Sequence, residues 1–117
     1  MKMILFVLND PAKVLDLLNA WREAGANGAT VLFSSGMGRI HQAAALRDDL
    51  PLMPSLSDFY GKDEELSRTL FTVVKDDKMV TRLIAATRSV VGDLEQLDTG
   101  LLVVLPVEHA EGFEKKR

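Results

Sequence analysis

The feature that most constrains this chain is a pair of short apolar runs near its two ends, Met3 to Leu8 and Leu101 to Leu105. Each is the length of a strand, and each is closed by residues that interrupt one: Asn9-Asp10-Pro11 after the first run, Pro106 after the second. Side chains in a strand alternate between two faces, so Met3, Leu5 and Val7 make one apolar face while Ile4, Phe6 and Leu8 make another. Both faces need cover. A layer of helices supplies cover on one side only, and an apolar sheet face left open would exceed the patches that monomers tolerate. The simplest cover for the second face is another copy of the chain, in a closed symmetric assembly. The alternative is that only the two central strands are covered twice, by loops or by the tail.

Between these runs the pattern supplies the rest of a small domain. Asp10 is a helix N-cap and Pro11 suits the first helical position, where a missing N–H costs nothing. Val14, Leu17, Leu18 and Trp21 then recur at helical spacing, with Lys13, Asp16, Arg22 and Glu23 largely outside the stripe, until Gly25 and Gly28 stop the helix. Ala29 to Ser35 reads as a second strand and Arg68 to Val74 as a third. Asp76 caps a second helix carrying Val80, Leu83, Ile84, Thr87 and Val91, which Gly92 ends. The order is βαββαβ: an α+β, ferredoxin-like domain with an antiparallel sheet, two helices on one face, and a long loop between the second and third strands. At 117 residues and 47 % apolar content it is a single domain, 1–117, able to bury one core, and it shows no long-period repeat.

Composition closes several functions. With no cysteine there are no disulfides, thiolate metal sites or cysteine nucleophiles, in keeping with a cytoplasmic protein. A net charge of −3 with no basic block argues against nucleic acid as a partner. No stretch approaches the roughly 20 apolar residues that span a bilayer, and the N-terminal run reads as a strand rather than a signal peptide. His41 and His109 stand alone, so no metal site is expected, and neither is placed beside a serine or threonine by any motif, so no enzyme is expected. Asp48-Asp49 reads as solvated loop and Asp76-Asp77 as helix capping. Gly36-Met37-Gly38 either lets a backbone approach a ligand or makes a strand exit that needs positive φ. Arg39 either holds an anion or is solvated, and Arg88 suits the last turn of a helix. The tail from Glu108 to Arg117 is charged and expected to be exposed.

Three segments, taken in order, carry a resemblance. Gly28-Ala-Thr-Val31 leads into the second strand, Gly36-Met37-Gly38-Arg39 opens the long connection, and Val104-Leu-Pro-Val-Glu108 closes the last strand. Over almost its whole length the chain resembles the nitrogen regulatory protein P-II family of signalling proteins. The resemblance implies a ferredoxin-like homotrimer with inward-facing sheets and small-ligand sites in the clefts between subunits. It also implies a T-loop, here Met37 to Ser67, that docks on a transporter, enzyme or regulator. Carried over residue by residue, the ligand-binding candidates are Gly36, Met37, Gly38 and Arg39 at the T-loop base. The others are Arg88, Ser89, Gly92, Thr99 and Gly100 after the second helix.

The chain departs from that family where phosphates would be held. Ile40 stands where the family has glutamine, and a longer connection places Glu95, Asp98 and Leu101 where the family has lysines. The family's C-terminal arginines have no match in His109 to Phe113, and Tyr60 does not match the tyrosine that some members modify. An acidic loop repels phosphate. No cofactor is named by the sequence, and ATP or ADP binding of the family type is not expected. Two other readings remain: a ferredoxin-like metal-binding or enzymatic protein of the copper-tolerance type, and a structural oligomer without a ligand.

Overall fold

The computed structural model describes residues 1–37 and 67–114. Among these there are four strands: β1 (Lys2–Leu8), β2 (Thr30–Ser34), β3 (Ser67–Val74) and β4 (Gly100–Pro106). Two helices, α1 (Val14–Ala24) and α2 (Asp77–Val91), lie between them in the expected order. The sheet is antiparallel throughout, in the order β2-β3-β1-β4. This α+β architecture is compatible with a ferredoxin-like plan. The T-loop expected over Met37 to Ser67 falls almost entirely outside the described residues, as do Gly38, Arg39, His41, Asp48, Asp49, Tyr60 and residues 115–117.

Local chemistry sets the boundaries. The Asp10 carboxylate accepts from the Ala12 N–H at 3.0 Å, and Pro11–Lys13 forms a single 3-10 turn before α1 proper begins. Gly25 ends α1 in the left-handed conformation at φ 113°, its N–H donating to the Arg22 carbonyl at 3.0 Å. The Asp76 carboxylate caps α2 by accepting from the Met79 N–H at 3.0 Å.

The core lies between the helices and one face of the sheet. Ile4, Phe6 and Leu8 of β1 and Leu70 of β3 are completely buried, together with Leu17 and Trp21 of α1 and Leu83 of α2. Two polar groups sit inside this apolar layer and satisfy one another. The Trp21 indole N–H donates to the Thr87 hydroxyl at 2.9 Å, and that hydroxyl donates to the Leu83 carbonyl at 2.7 Å. Thr87 is thereby both a member of the apolar stripe of α2 and the polar link between the two helices. Replacing Thr87 with Val keeps the volume but leaves the buried indole N–H without an acceptor. The expected cost is about 1–3 kcal/mol in denaturant unfolding at fixed protein concentration, with the sheet signal in circular dichroism unchanged.

The opposite face of the sheet is apolar and uncovered by any described element. Its residues follow from the registers in four ranks: Leu105, Met3 and Val73; then Val103, Leu5, Phe71 and Thr30; then Leu101, Val7, Thr69 and Leu32; and last the polar pair Ser34 and Ser67. No charged side chain lies on this face of the four strands. Leu101 and Leu32 are more than half exposed, while Met3, Leu5, Val7, Phe71 and Val73 are half-buried by their neighbours alone. In the first terminal run the doubly apolar pattern therefore corresponds to one sealed face and one open face, whereas in the second Leu102 is only half-buried and Val104 is exposed on the helix side.

Two boundaries differ from the sequence reading. Ser67, placed by the sequence pattern at the end of the long loop, belongs to β3 and is buried. The Thr69 hydroxyl donates to Ser34 Oγ at 2.9 Å, and the Ser67 hydroxyl donates to the Ser34 carbonyl at 3.0 Å. With those protons placed, the 2.8 Å contact between the two serine hydroxyls is donated by Ser34. This network extends the β2–β3 pairing by one residue pair, which apolar patterning does not register. The C-terminal tail is also less exposed than its charge suggests. Glu108, His109, Glu111, Gly112 and Glu114 are exposed as expected, but Ala110 and Phe113 are half-buried, and Glu114 pairs with Lys75 at 3.1 Å.

Candidate functional site

The strand directions place the candidate residues. β2 ends, and β4 begins, at the same end of the sheet, because three antiparallel pairings separate them. At that end Ser35, Gly36 and Met37 continue from β2, while the connection from Gly92 to Thr99 leads from α2 into β4. The two groups of candidates thus share an end but not an edge. Strands are about 4.8 Å apart, so roughly 14 Å separates β2 from β4 within one chain. In the single chain Thr99 and Gly100 lie at the β4 edge, reached from Arg88, Ser89 and Gly92 at the end of α2, while Gly36 and Met37 follow β2 at the other edge.

At the β2 edge Gly36 keeps a φ outside the left-handed region, so the strand exit does not require a glycine here on conformational grounds. A Cβ added at Gly36 would meet no atom within 4 Å, leaving the backbone open to approach. Met37 is 75 % exposed. Beneath them the Arg68 guanidinium lies 4.3 Å from the centre of the Phe33 ring, on an aromatic face that is itself largely exposed.

At the β4 edge each candidate has a structural role. Arg88 and Ser89 occupy the last turn of α2; the Arg88 carbonyl accepts from the Gly92 N–H at 2.8 Å, and the Ser89 hydroxyl donates to the Ala86 carbonyl at 2.6 Å. Gly92 takes φ 84° and ψ −153°, a conformation open essentially to glycine alone. The Thr99 hydroxyl donates to the Gln96 carbonyl at 2.9 Å. Gly100, at φ 139°, is pressed onto β1: an added Cβ would lie 2.7 Å from the Phe6 ring and closer still to the Val7 carbonyl. This glycine exists for strand pairing. No periodicity reveals that, since the neighbour lies on the first strand of the chain.

The electrostatics of this edge oppose a phosphate. Asp93, Glu95 and Asp98 lie in the connection, and the Asp93 carboxylate already accepts the Glu95 N–H at 2.9 Å, an amide that an anion would need. Arg88 is the only cationic residue between the middle of α2 and β4. Among the described residues no group of three His, Asp or Glu side chains is placed to hold a metal ion. A cleft of about 230 Å³ lies at the opposite end of the sheet, between Gly25, Asn27, Val74, Lys75, Met79 and Phe113, away from every candidate residue. No helix among the described residues is long and apolar enough to cross a membrane. No family model and no curated protein matches the chain.

Two outcomes follow from this geometry. Gly100→Ala meets backbone rather than a movable side chain and adds strain at positive φ; it is expected to cost about 2 kcal/mol or more in unfolding free energy, read from denaturant midpoints. Isothermal titration with ATP or ADP, with and without magnesium, is expected to show no micromolar binding. Two lost charged contacts of about 1.5–3 kcal/mol each weaken affinity by roughly two to four powers of ten. Micromolar binding would mean that arginines such as Arg39 or Arg88, or the tail from Lys115 to Arg117, hold the phosphates despite the acidic connection.

Proposed function

We propose that this chain is a P-II-like regulatory protein rather than an enzyme: a cytoplasmic homotrimer that senses a small ligand in the clefts between subunits. Its long connection between β2 and β3, about residues 37–67, docks on a transporter, enzyme or regulator. The observation that carries this reading is the open sheet face, a largely apolar array without a single charge, opposite the face on which both helices bury Ile4, Phe6, Leu8 and Leu70 of the two inner strands. Apolar surface of that extent and regularity is what a subunit buries against its own copies.

The placement of the candidate residues supports the same arrangement. Residues at the β2 exit and at the start of β4 lie on opposite edges of one chain, so they build one cleft only where the β2 edge of one copy meets the β4 edge of the next. β2 and β4 run in opposite directions, so such a junction continues the antiparallel alternation and keeps every long connection at one end of the assembly. A ligand bound there reaches the base of the docking loop directly. That is the coupling between a sensing site and an output that a regulator needs.

Static light scattering on the full chain tests the assembly. The expected mass is three times the chain's 12.9 kDa at micromolar concentration. Leu5 sits at the centre of the open face, so Leu5→Glu buries a charge at every subunit contact and is expected to yield monomers that keep their helical circular dichroism. A wild-type chain that scatters as a monomer at that concentration would refute the proposal.

A further inference from the structure

We infer that the connection between α2 and β4 is an apolar latch, in which Leu97 of one copy seats against Met37 at the β2 exit of the next. The latch rests on the proposed ring and gives the acidic connection a task other than ligand binding.

Leu97 is 92 % exposed, the most exposed large apolar side chain among the described residues. It is not at the tip of a slack loop. The Glu95 N–H donates to the Asp93 carboxylate at 2.9 Å, the Gln96 N–H donates to the Asp93 carbonyl at 3.1 Å, and the Thr99 hydroxyl donates to the Gln96 carbonyl at 2.9 Å. Asp98, the residue after Leu97, is the one described non-glycine residue at positive φ, at 63°. These bonds and this turn order the backbone on both sides of Leu97, and the side chain they hold outward gains no contact within its own chain. Binding loses little ordering entropy when the anchor is already fixed, so a rigid exposed leucine is suited to filling a site on a partner.

The partner is a second copy, for three reasons on the molecule itself. Met37 is the matching surface: 75 % exposed, apolar, adaptable in shape, and at the same end of the sheet. Within one chain Leu97 leads into β4 and Met37 follows β2, edge strands that lie roughly 14 Å apart. Both edges are also free of charge, Thr30–Ser34 on one side and Gly100–Pro106 on the other, so neither carries the lysines or central proline by which sheet edges usually refuse one another. Aligning them antiparallel brings the latch to the β2 exit, and repeating that operation closes the ring with one latch per junction.

The chain contains no cysteine, so a designed pair reports cleanly. The full-length M37C/L97C double variant is treated with diamide, which takes the two electrons and two protons released by each disulfide, and is run without reductant. Covalent trimers that revert to single chains with reductant are expected, with neither single variant going beyond minor dimers. In parallel, Leu97→Ser is expected to weaken each junction by roughly tenfold to hundredfold, the loss of one buried leucine per contact, and to ease release of a subunit, which breaks two junctions, by about the square of that factor. If the double variant scatters as a trimer but stays uncrosslinked, with the thiol at 97 open to maleimide, the ring stands and the latch is wrong. The latch is equally wrong if the disulfide forms within one chain. If the wild-type chain scatters as a monomer, the ring fails and the latch with it.

Discussion

Everything in this structure is arranged around β1. It is the first strand in the sequence and an inner strand of the sheet, with seven residues paired to β3 on one side and seven to β4 on the other. A strand with neighbours on both sides has no free backbone groups, so its faces alone remain to be covered. Ile4, Phe6 and Leu8 are covered completely, because both helices lie over them and are joined by the Trp21–Thr87 hydrogen bond. The buried indole N–H and threonine hydroxyl would each be costly alone. Paired, they fix how the two helices sit over the strand. Even the glycine at position 100 answers to β1, since its missing side chain is what lets β4 lie against Phe6 and Val7.

The same arrangement explains why the candidate site is divided. An inner β1 forces β2 and β4 to the two edges, so the chain leaves the sheet for the long connection at one edge and re-enters it from the α2–β4 connection at the other. Among the described residues they stay apart, because the paired strands β3 and β1 lie between them. The open face of β1, with Met3, Leu5 and Val7, faces the same problem in the perpendicular direction: its neighbours are apolar, and nothing described lies above them. The open edges and the open face are two aspects of one geometry, and the proposed ring covers both.

Much of this is legible in the sequence where the signal is local or periodic. The apolar runs, the Asp10 and Asp76 caps and the glycine stops at 25 and 92 all mark elements correctly, because capping and amphipathic spacing act within a turn or two. What escapes depends on distant pairing. Thr87 looks like one more position on an apolar stripe; its partner is 66 residues away. Ser67 looks like loop until Ser34 and Thr69 stand beside it. Gly100 reads as part of a ligand loop until Phe6 is placed against it. Phe113 sits in a run of charges, yet it is half-buried where the tail turns back past β1 toward Lys75. The candidate residues divide the same way: their types suggest one site, and only topology shows that they lie on two edges.

The edge strand β2 gives the last step. It has only five residues, is paired on one side, and exposes Leu32 and Phe33 by more than half. Of the four strands it therefore gains least from its own chain, and it leads directly into the long connection through Ser35, Gly36 and Met37. In the proposed ring this weakly held strand is completed by a neighbour, so ordering the strand and assembling the ring are one equilibrium. Linkage then works in both directions: whatever binds the connection and favours one geometry of the β2 exit strengthens or weakens the junction by the same factor as the junction changes that binding. A regulator built this way needs no moving domain. In the proposed ring the sensing cleft, the subunit contact and the root of the docking loop share one short strand, and a shift of a few kilocalories in its pairing is enough to change which state prevails.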